Sequence, residues 1–329
     1  MSRHPVALAL VLAACGSSSH SLPPDASPDA PRPIDAAPPP DMALDAPSPT
    51  GMHYHYVIDH VNVPTTSAQA QADGLDLDGN GTIDNQLGNV LATFTSQGFD
   101  FQTTVSQDVD DGAIIMLGDL QASALDNASD AGFTLYTGTN PQPPACSSPT
   151  DTVCRHHLTG SAMFDVAASP RDNPLAGAIV NGTYTTTTSG HLSVQLALAG
   201  NPVTLTLIGA RAKLVPTATT ITTGILAGAI TTTDLDTKVF PAVQQAVTAT
   251  IAADCTALTS PPTCGCASGS QGASLIALFD ANHDCAVSVD EIENNQLIQA
   301  LFAPDVTVEG QKALSFGVQV TAVGAVYTP

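Results

Sequence analysis

A strict two-residue alternation of apolar and polar side chains constrains this chain more than any other feature. Leu192, Val194, Leu196 and Leu198 alternate with Ser193, Gln195 and Ala197. After Gly200-Asn201-Pro202, Val203, Leu205 and Leu207 alternate with Thr204 and Thr206. Side chains one residue apart on a strand point to opposite faces, so this pattern predicts two half-buried antiparallel strands joined by a tight turn. Residues 184–188 and 219–231 extend the same meander. Leu314, Phe316, Val318 and Val320 repeat the alternation near the C-terminus, where a last strand is expected to pair back into an earlier sheet. Further strands are expected at 53–63, 113–122, 131–137 and 157–166. Helical spacing is rarer. Ile83, Leu87, Val90, Leu91 and Phe94 share one helical face, and Pro241 suits a helix start followed by Val243, Ala246, Val247 and Ile251. Ser274–Phe279 and Ile292–Phe302 read as short amphipathic helices around a polar loop. Strands and helices do not alternate in the doubly wound manner. The expected fold is mainly β with helical inserts (α+β): a β-sandwich or a curved antiparallel sheet, formed by residues 51–329 as one domain.

The first fifty residues cannot join that fold. Arg3 and His4 precede an apolar run from Pro5 to Ala14, half of the roughly 20 residues a membrane span needs. Such a run fits a secretory signal peptide over residues 1–14. It ends Leu12-Ala13-Ala14-Cys15-Gly16, which resembles the lipobox of bacterial lipoproteins. The resemblance implies that Cys15 becomes the lipidated first residue of the mature protein, anchored in the bacterial envelope. Residues 16–50 hold ten of the 25 prolines. They have too little apolar area to offset ordering entropy, so 15–50 reads as an extended stalk behind the anchor. The chain carries 30 acidic against 8 basic residues, a formal net charge of −22. That excludes nucleic acid as a partner, because phosphate recognition needs clustered Lys and Arg.

Beyond Cys15 there are six cysteines, an even number in an exported chain, which predicts disulfides. Cys146 and Cys154 suit a local loop. Cys255, Cys264, Cys266 and Cys285 are expected to pair among themselves. A metal site on Cys264-Gly265-Cys266 is disfavoured, since C-x-C lacks the usual zinc spacing.

Two acidic loops carry the chemistry. Residues 280–291 read DANHDCAVSVDE. Asp280, Asn282 and Asp284 stand at positions 1, 3 and 5. Ala286 offers a carbonyl at position 7, Ser288 stands at position 9, and Glu291 closes position 12. Val287 is the apolar position, and helical patterns flank both sides. This resembles the EF-hand family over about 30 residues, and the resemblance implies a Ca²⁺ site. Ca²⁺ takes 6–8 oxygens, which short Asp and Asn side chains at alternate positions supply as the chain curls. Position 6 departs from the family: Cys285 stands where EF-hands have Gly, at a turn that wants positive φ. A disulfide from Cys285 toward the 255–266 region would hold such a turn. Residues 76–87, DLDGNGTIDNQL, form a second candidate with Asp76, Asp78, Asn80, Thr82 and Asp84 as oxygen donors and Gly81 at position 6. Leu87 replaces the closing Glu, so this loop resembles the shortened DxDxDG loops of bacterial calcium proteins.

Other signals are weaker. His53-x-His55 on a strand puts both rings on one face, which zinc can use, but no partnered acidic-His motif follows and a solvated strand face is the preferred reading. His156-His157 beside Cys154 is treated likewise. No H-E-x-x-H, G-x-S-x-G, P-loop or G-x-G-x-x-G occurs. The expectation is a non-enzymatic, lipid-anchored, Ca²⁺-binding protein of a bacterial envelope, its protein or glycan partner open. A Ca²⁺-dependent adhesion or polysaccharide-binding module is the second reading and an Asp-based secreted hydrolase the third.

Overall fold

A computed structural model describes residues 48–96, 100–198, 201–256, 261 and 264–329. The expected signal peptide, Cys15 and the expected stalk up to residue 47 lie outside the described residues. Thr50, at the end of the expected stalk, is bonded into the domain: it gives its backbone N–H to the Asp130 carbonyl (3.1 Å) and its hydroxyl to the Asp130 carboxylate.

In chain order, β1 (Met52–Asn62) is followed by helices α1 (Ser67–Ala72), α2 (Gln86–Ser96) and α3 (Phe101–Asp110). The strands β2 (Met116–Ala122), β3 (Ala128–Gln142), β4 (Ala162–Val166), β5 (Leu175–Val180), β6 (Thr183–Thr186), β7 (Gly190–Leu198), β8 (Asn201–Pro216) and β9 (Thr220–Thr231) come next. A turn α4 (Thr232–Asp234) and a π-helical turn at Leu235–Val239 lead into α5 (Phe240–Asp254). Three more helices follow, α6 (Gln271–Phe279), α7 (Val289–Glu293) and α8 (Gln296–Leu301), before β10 (Val306–Val308) and β11 (Gln311–Val326).

The sheet is mainly β structure curled until it meets itself. Strand β1 pairs β2, β2 pairs β3, and β3 pairs β5. The ring runs on through β5–β6, β6–β8, β8–β9 and β9–β11. It closes where β11 pairs back to β1, with Val61 opposite Val320. Eight strands, all antiparallel and visited in chain order, therefore form a closed up-and-down ring. Closure removes the exposed edges that an open sheet would carry. Strands β4, β7 and β10 are additions, pairing β3 and β11, β8, and β11 respectively. The only parallel pairing among them is β4 on β11, at Ala162 and Met163. The curved-sheet expectation thus describes the molecule, and the two-sheet sandwich does not.

An eight-stranded ring is just wide enough for side chains to fill. Tyr56, Leu120, Phe133, Leu135, Tyr184, Leu214 and Leu226 do so, each at most 1% exposed. Gly177 makes room for the largest of these, because a Cβ there would stand 2.6 Å from the Tyr184 ring. Buried phenols need acceptors. Tyr56 Oη donates to the Thr217 carbonyl (2.6 Å), and Tyr184 Oη donates to that of Leu175. The helices extend the same core with Val90, Val109, Val247, Ile251, Ile276, Phe279, Ile292 and Ile298.

Several local expectations shift. The helix predicted from Ile83 starts at Gln86 and leaves Ile83 40% exposed. Residues 292–302 break into α7 and α8, because Asn295 caps the second helix with its side chain. Asn201 and Pro202 lie inside β8, opposite Leu198 and Ala197, so the second strand of the pair begins before Val203. Strand β4 begins at Ala162, later than the 157 read from sequence. Strands β5 and β10 and helices α1 and α3 were not anticipated.

Candidate metal centre

The loop at 280–291 is positioned by helices on either side. Ser270 caps α6 by accepting the Ala273 N–H (3.2 Å), and α6 ends by burying Phe279. Asp280 follows as the C-cap, 4% exposed. Its Oδ1 accepts the Asp284 N–H (3.0 Å) and its Oδ2 accepts the Cys285 N–H (2.9 Å). Asn282 Oδ1 also accepts the Asp284 N–H (2.9 Å), and Asp284 Oδ1 accepts the Ala286 N–H (2.9 Å). These side chains therefore fold the backbone around themselves.

Glu291 spans the loop mouth. Its Oε2 accepts the Ser288 N–H and hydroxyl, both at 2.9 Å, while Ser288 Oγ accepts the Glu291 N–H (3.2 Å), completing a capping box for α7. Its Oε1 accepts the N–H groups of Ala281 (3.0 Å) and Asn282 (3.2 Å) at the far side of the loop. Burial pushes the Glu291 carboxyl up, but these donors outweigh it and hold the pKa below the ordinary value. Val287 is buried in the main core, and its carbonyl accepts from Gln244 of α5 (2.8 Å).

Three disulfides are present: Cys146–Cys154, Cys255–Cys266 and Cys264–Cys285. The last two form a chain of restraints. Cys255 is the C-cap of α5, Cys266 joins it, and Cys264 two residues earlier holds Cys285 at loop position 6. Cys285 has φ +69°, the left-handed conformation that the departure from Gly demanded. Sulfurs so engaged are not thiolates, which removes the C-x-C metal reading.

The loop at 76–87 repeats this construction on another part of the surface. Asp76 Oδ2 accepts the Gly81 N–H (2.9 Å), Asp78 Oδ1 the Asn80 N–H (3.1 Å), and Asn80 Oδ1 the Thr82 N–H (2.7 Å). These are the same three rungs: position 1 to 6, 3 to 5, and 5 to 7. The backbone also matches. Positions 4 and 6 have positive φ in both loops, His283 (+62°) and Cys285 (+69°) in one, Gly79 (+79°) and Gly81 (+85°) in the other.

Where position 12 should close this second loop, Leu87 points into the core, 7% exposed. Asp84 comes in from position 9 instead. It is 8% exposed, bridged backbone to backbone with Leu75, and its Oδ2 accepts the Leu77 N–H (2.8 Å). The Asp76, Asp78 and Asp84 carboxylates have oxygens within 4.8 Å of one another. Burial raises the Asp84 pKa, and the charges of Asp78, Asp305 and Asp76 add to the rise. Asp76 is held low, first by the Gly81 N–H. Ile83 is exposed while Val287 is buried, so the apolar positions of the two loops lie in different surroundings.

Sequence reading missed what anchors the second loop. Asn85, next to Asp84, uses both donors and both acceptor sites of its amide. Its Nδ2 donates to the carbonyls of Ala70 and Gly317, each at 2.9 Å. Its Oδ1 accepts from Gly317 (2.9 Å) and Gly88 (3.0 Å). Strand β1 makes its last pair at Asn62–Gln319, so two residues further along β11 the Asn85 amide takes the place of a strand residue. Of the two histidines beside Cys154, His156 bonds Asp151 (3.0 Å) and His157 is fully buried.

Comparison with family models, with curated proteins and with solved structures gives no match to this chain.

Proposed function

We propose that this chain is a lipid-anchored protein of a bacterial envelope that binds Ca²⁺ through residues 280–291 and 76–84, the ion serving structure rather than catalysis. The observation that carries the reading is the repeated loop. Two segments some 200 residues apart share three side-chain-to-amide rungs and the same pair of positive φ values. Each rung occupies part of one oxygen's capacity. An ionised carboxylate has about four lone-pair sites over two oxygens, so the ligand set retains acceptors.

The donor chemistry fits a hard cation. Asp280, Asn282, Asp284, the Ala286 carbonyl, Ser288 through a water and both oxygens of Glu291 would supply about seven oxygens, within the 6–8 that Ca²⁺ takes. Asp76, Asp78, Asn80, the Thr82 carbonyl and Asp84 supply five, leaving water to complete the shell. A bound ion would offset two of the three carboxylate charges in each loop and, at 280–291, tie the end of α6 to the start of α7. The lipidated Cys15 would hold the domain at the membrane through the 16–50 stalk, and detergent-phase partitioning lost in Cys15→Ala is the expected sign of it.

Thermal unfolding tests the calcium reading. At a free Ca²⁺ concentration 100 times the Kd, one site adds about 2.7 kcal/mol of stability. The melting temperature should therefore fall in EDTA and recover with Ca²⁺. Superimposable melts in the two conditions would refute it.

A further inference from the structure

We propose that His53, His55 and Asp119 form a binding site for a Zn²⁺-class transition-metal ion on the outer face of β1 and β2. The register builds it. His55 sits directly opposite Asp119 across the β1–β2 pairing, and His53 lies two residues earlier on the same face. Tyr56 and Leu120 point into the ring, so these three point outward. Asp119 is 64 residues from His55 in sequence, so the strand β1 alone could not reveal it as a partner of the H-x-H.

The ligand atoms are already gathered. His53 Nδ1 lies 2.9 and 3.0 Å from the two Asp119 oxygens, and His55 Nε2 lies 3.7 Å from Oδ1. All three groups fall within 4.8 Å of one another. A tetrahedral ion with bonds of about 2.0–2.1 Å separates its ligands by about 3.3–3.4 Å. The observed spacings bracket that value, so small side-chain shifts would seat the ion.

Two features are hard to explain without a further partner. His55 Nε2 is closed off from solvent and has no hydrogen-bond partner. A buried polar atom in that state costs free energy, and an absent ion is one of its recognised explanations. Asp119 is 5% exposed, and among the described residues the only basic side chains within ion-pair distance of it are these two histidines. An ion would satisfy both.

The surroundings fix the ligands. The Tyr327 ring stacks on His55 with centroids 4.4 Å apart, and its hydroxyl donates to the Gly118 carbonyl (2.7 Å). Val57, Leu117 and Phe164 complete a small apolar cluster beneath. The His53 side chain is 46% exposed, which leaves an entry path and an open position for water. Three protein ligands plus water is the arrangement of an open zinc site. Two imidazole nitrogens select such an ion over Ca²⁺, so this site is distinct in chemistry from the acidic loops.

The test titrates the full-length, Ca²⁺-saturated protein with ZnCl₂ by calorimetry, and with Co²⁺ by visible absorption. Wild type should bind one equivalent of Zn²⁺ that weakens at least tenfold in His53→Ala and in Asp119→Asn. His191→Ala, on a different strand, should leave it unchanged. Co²⁺ should give tetrahedral ligand-field bands that His53→Ala abolishes. His53 is half exposed, so that variant should keep the wild-type circular dichroism and melting temperature, and it carries the test if Asp119→Asn does not fold. Zn²⁺ isotherms that coincide for wild type and His53→Ala would overturn the proposal, as would no Zn²⁺ binding by wild type.

Discussion

Replacing Asn85 with alanine should destabilise the domain more than any surface change near the acidic loops. The residue is 4% exposed and makes four hydrogen bonds, at 2.9, 2.9, 2.9 and 3.0 Å. Its partners are main-chain groups held in place by their own elements: the Gly317 N–H and carbonyl on β11, the Ala70 carbonyl on α1 and the Gly88 N–H on α2. A typical net hydrogen bond contributes about 1 kcal/mol, and each buried group left unpaired costs about 1–3 kcal/mol. Some of the four will find water once the side chain is gone. The expected loss is about 3–5 kcal/mol, or on the order of 10 °C in melting temperature for a domain of this size. Asn85→Leu keeps the volume and removes only the polarity, so it should lose a similar amount. Both are measured by chemical and thermal denaturation in EDTA, so that no effect is routed through a bound ion. A loss under 1 kcal/mol in both variants would refute the view that this amide substitutes for a strand residue at the β11 edge.

Other consequences follow from the disulfide chain and from a buried histidine. Cys264→Ala with Cys285→Ala opens a closure spanning 21 residues, which the chain-entropy estimate values at about 3 kcal/mol. The melting temperature should fall accordingly, and the Ca²⁺-dependent increment assigned to the 280–291 loop should shrink with it; a variant melting like wild type would contradict the restraint. His157 is fully buried, and burial first and the Arg155 charge second lower its pKa. Its folded pKa lies below the unfolded value of about 6.5, so its contribution is complete above that pH and is lost as pH falls toward the folded value. Thermal melts between pH 7 and 5.5 should therefore drop less steeply in His157→Phe than in wild type, and equal slopes would count against it.

What could be read from sequence was local. The strands with one polar and one apolar face announced themselves, as at Leu192–Leu198 and Leu314–Val320, because alternation is visible within a few residues. Strand β5 hid because Leu175, Gly177 and Ile179 face inward between alanines, leaving no change of polarity to see. Helix α3 hid because of its residues only Val109 is buried. That the last strand pairs back into an earlier sheet was expected, but its partner, and so the closure of the ring, could not be read. It is a pairing of the first strand with the last, and no local pattern encodes it. The same division holds for the sites. The Asp and Asn spacing that folds the backbone in 280–291 and 76–84 is contained in twelve residues and was legible, as was the need to hold Cys285 at positive φ. The juxtaposition of Asp119 with His53 and His55, and the Asn85 clamp on Gly317, depend on register between distant strands and became visible only in the fold.

The central claim is that two loops of one construction bind Ca²⁺. Calorimetric titration of the full chain with CaCl₂, repeated on Asp280→Asn and on Asp76→Asn, tests it most directly. The account predicts two Ca²⁺ equivalents in wild type and the loss of a different one in each variant, with both variants still folded. No calcium heat in wild type, or isotherms that neither substitution alters, would contradict it.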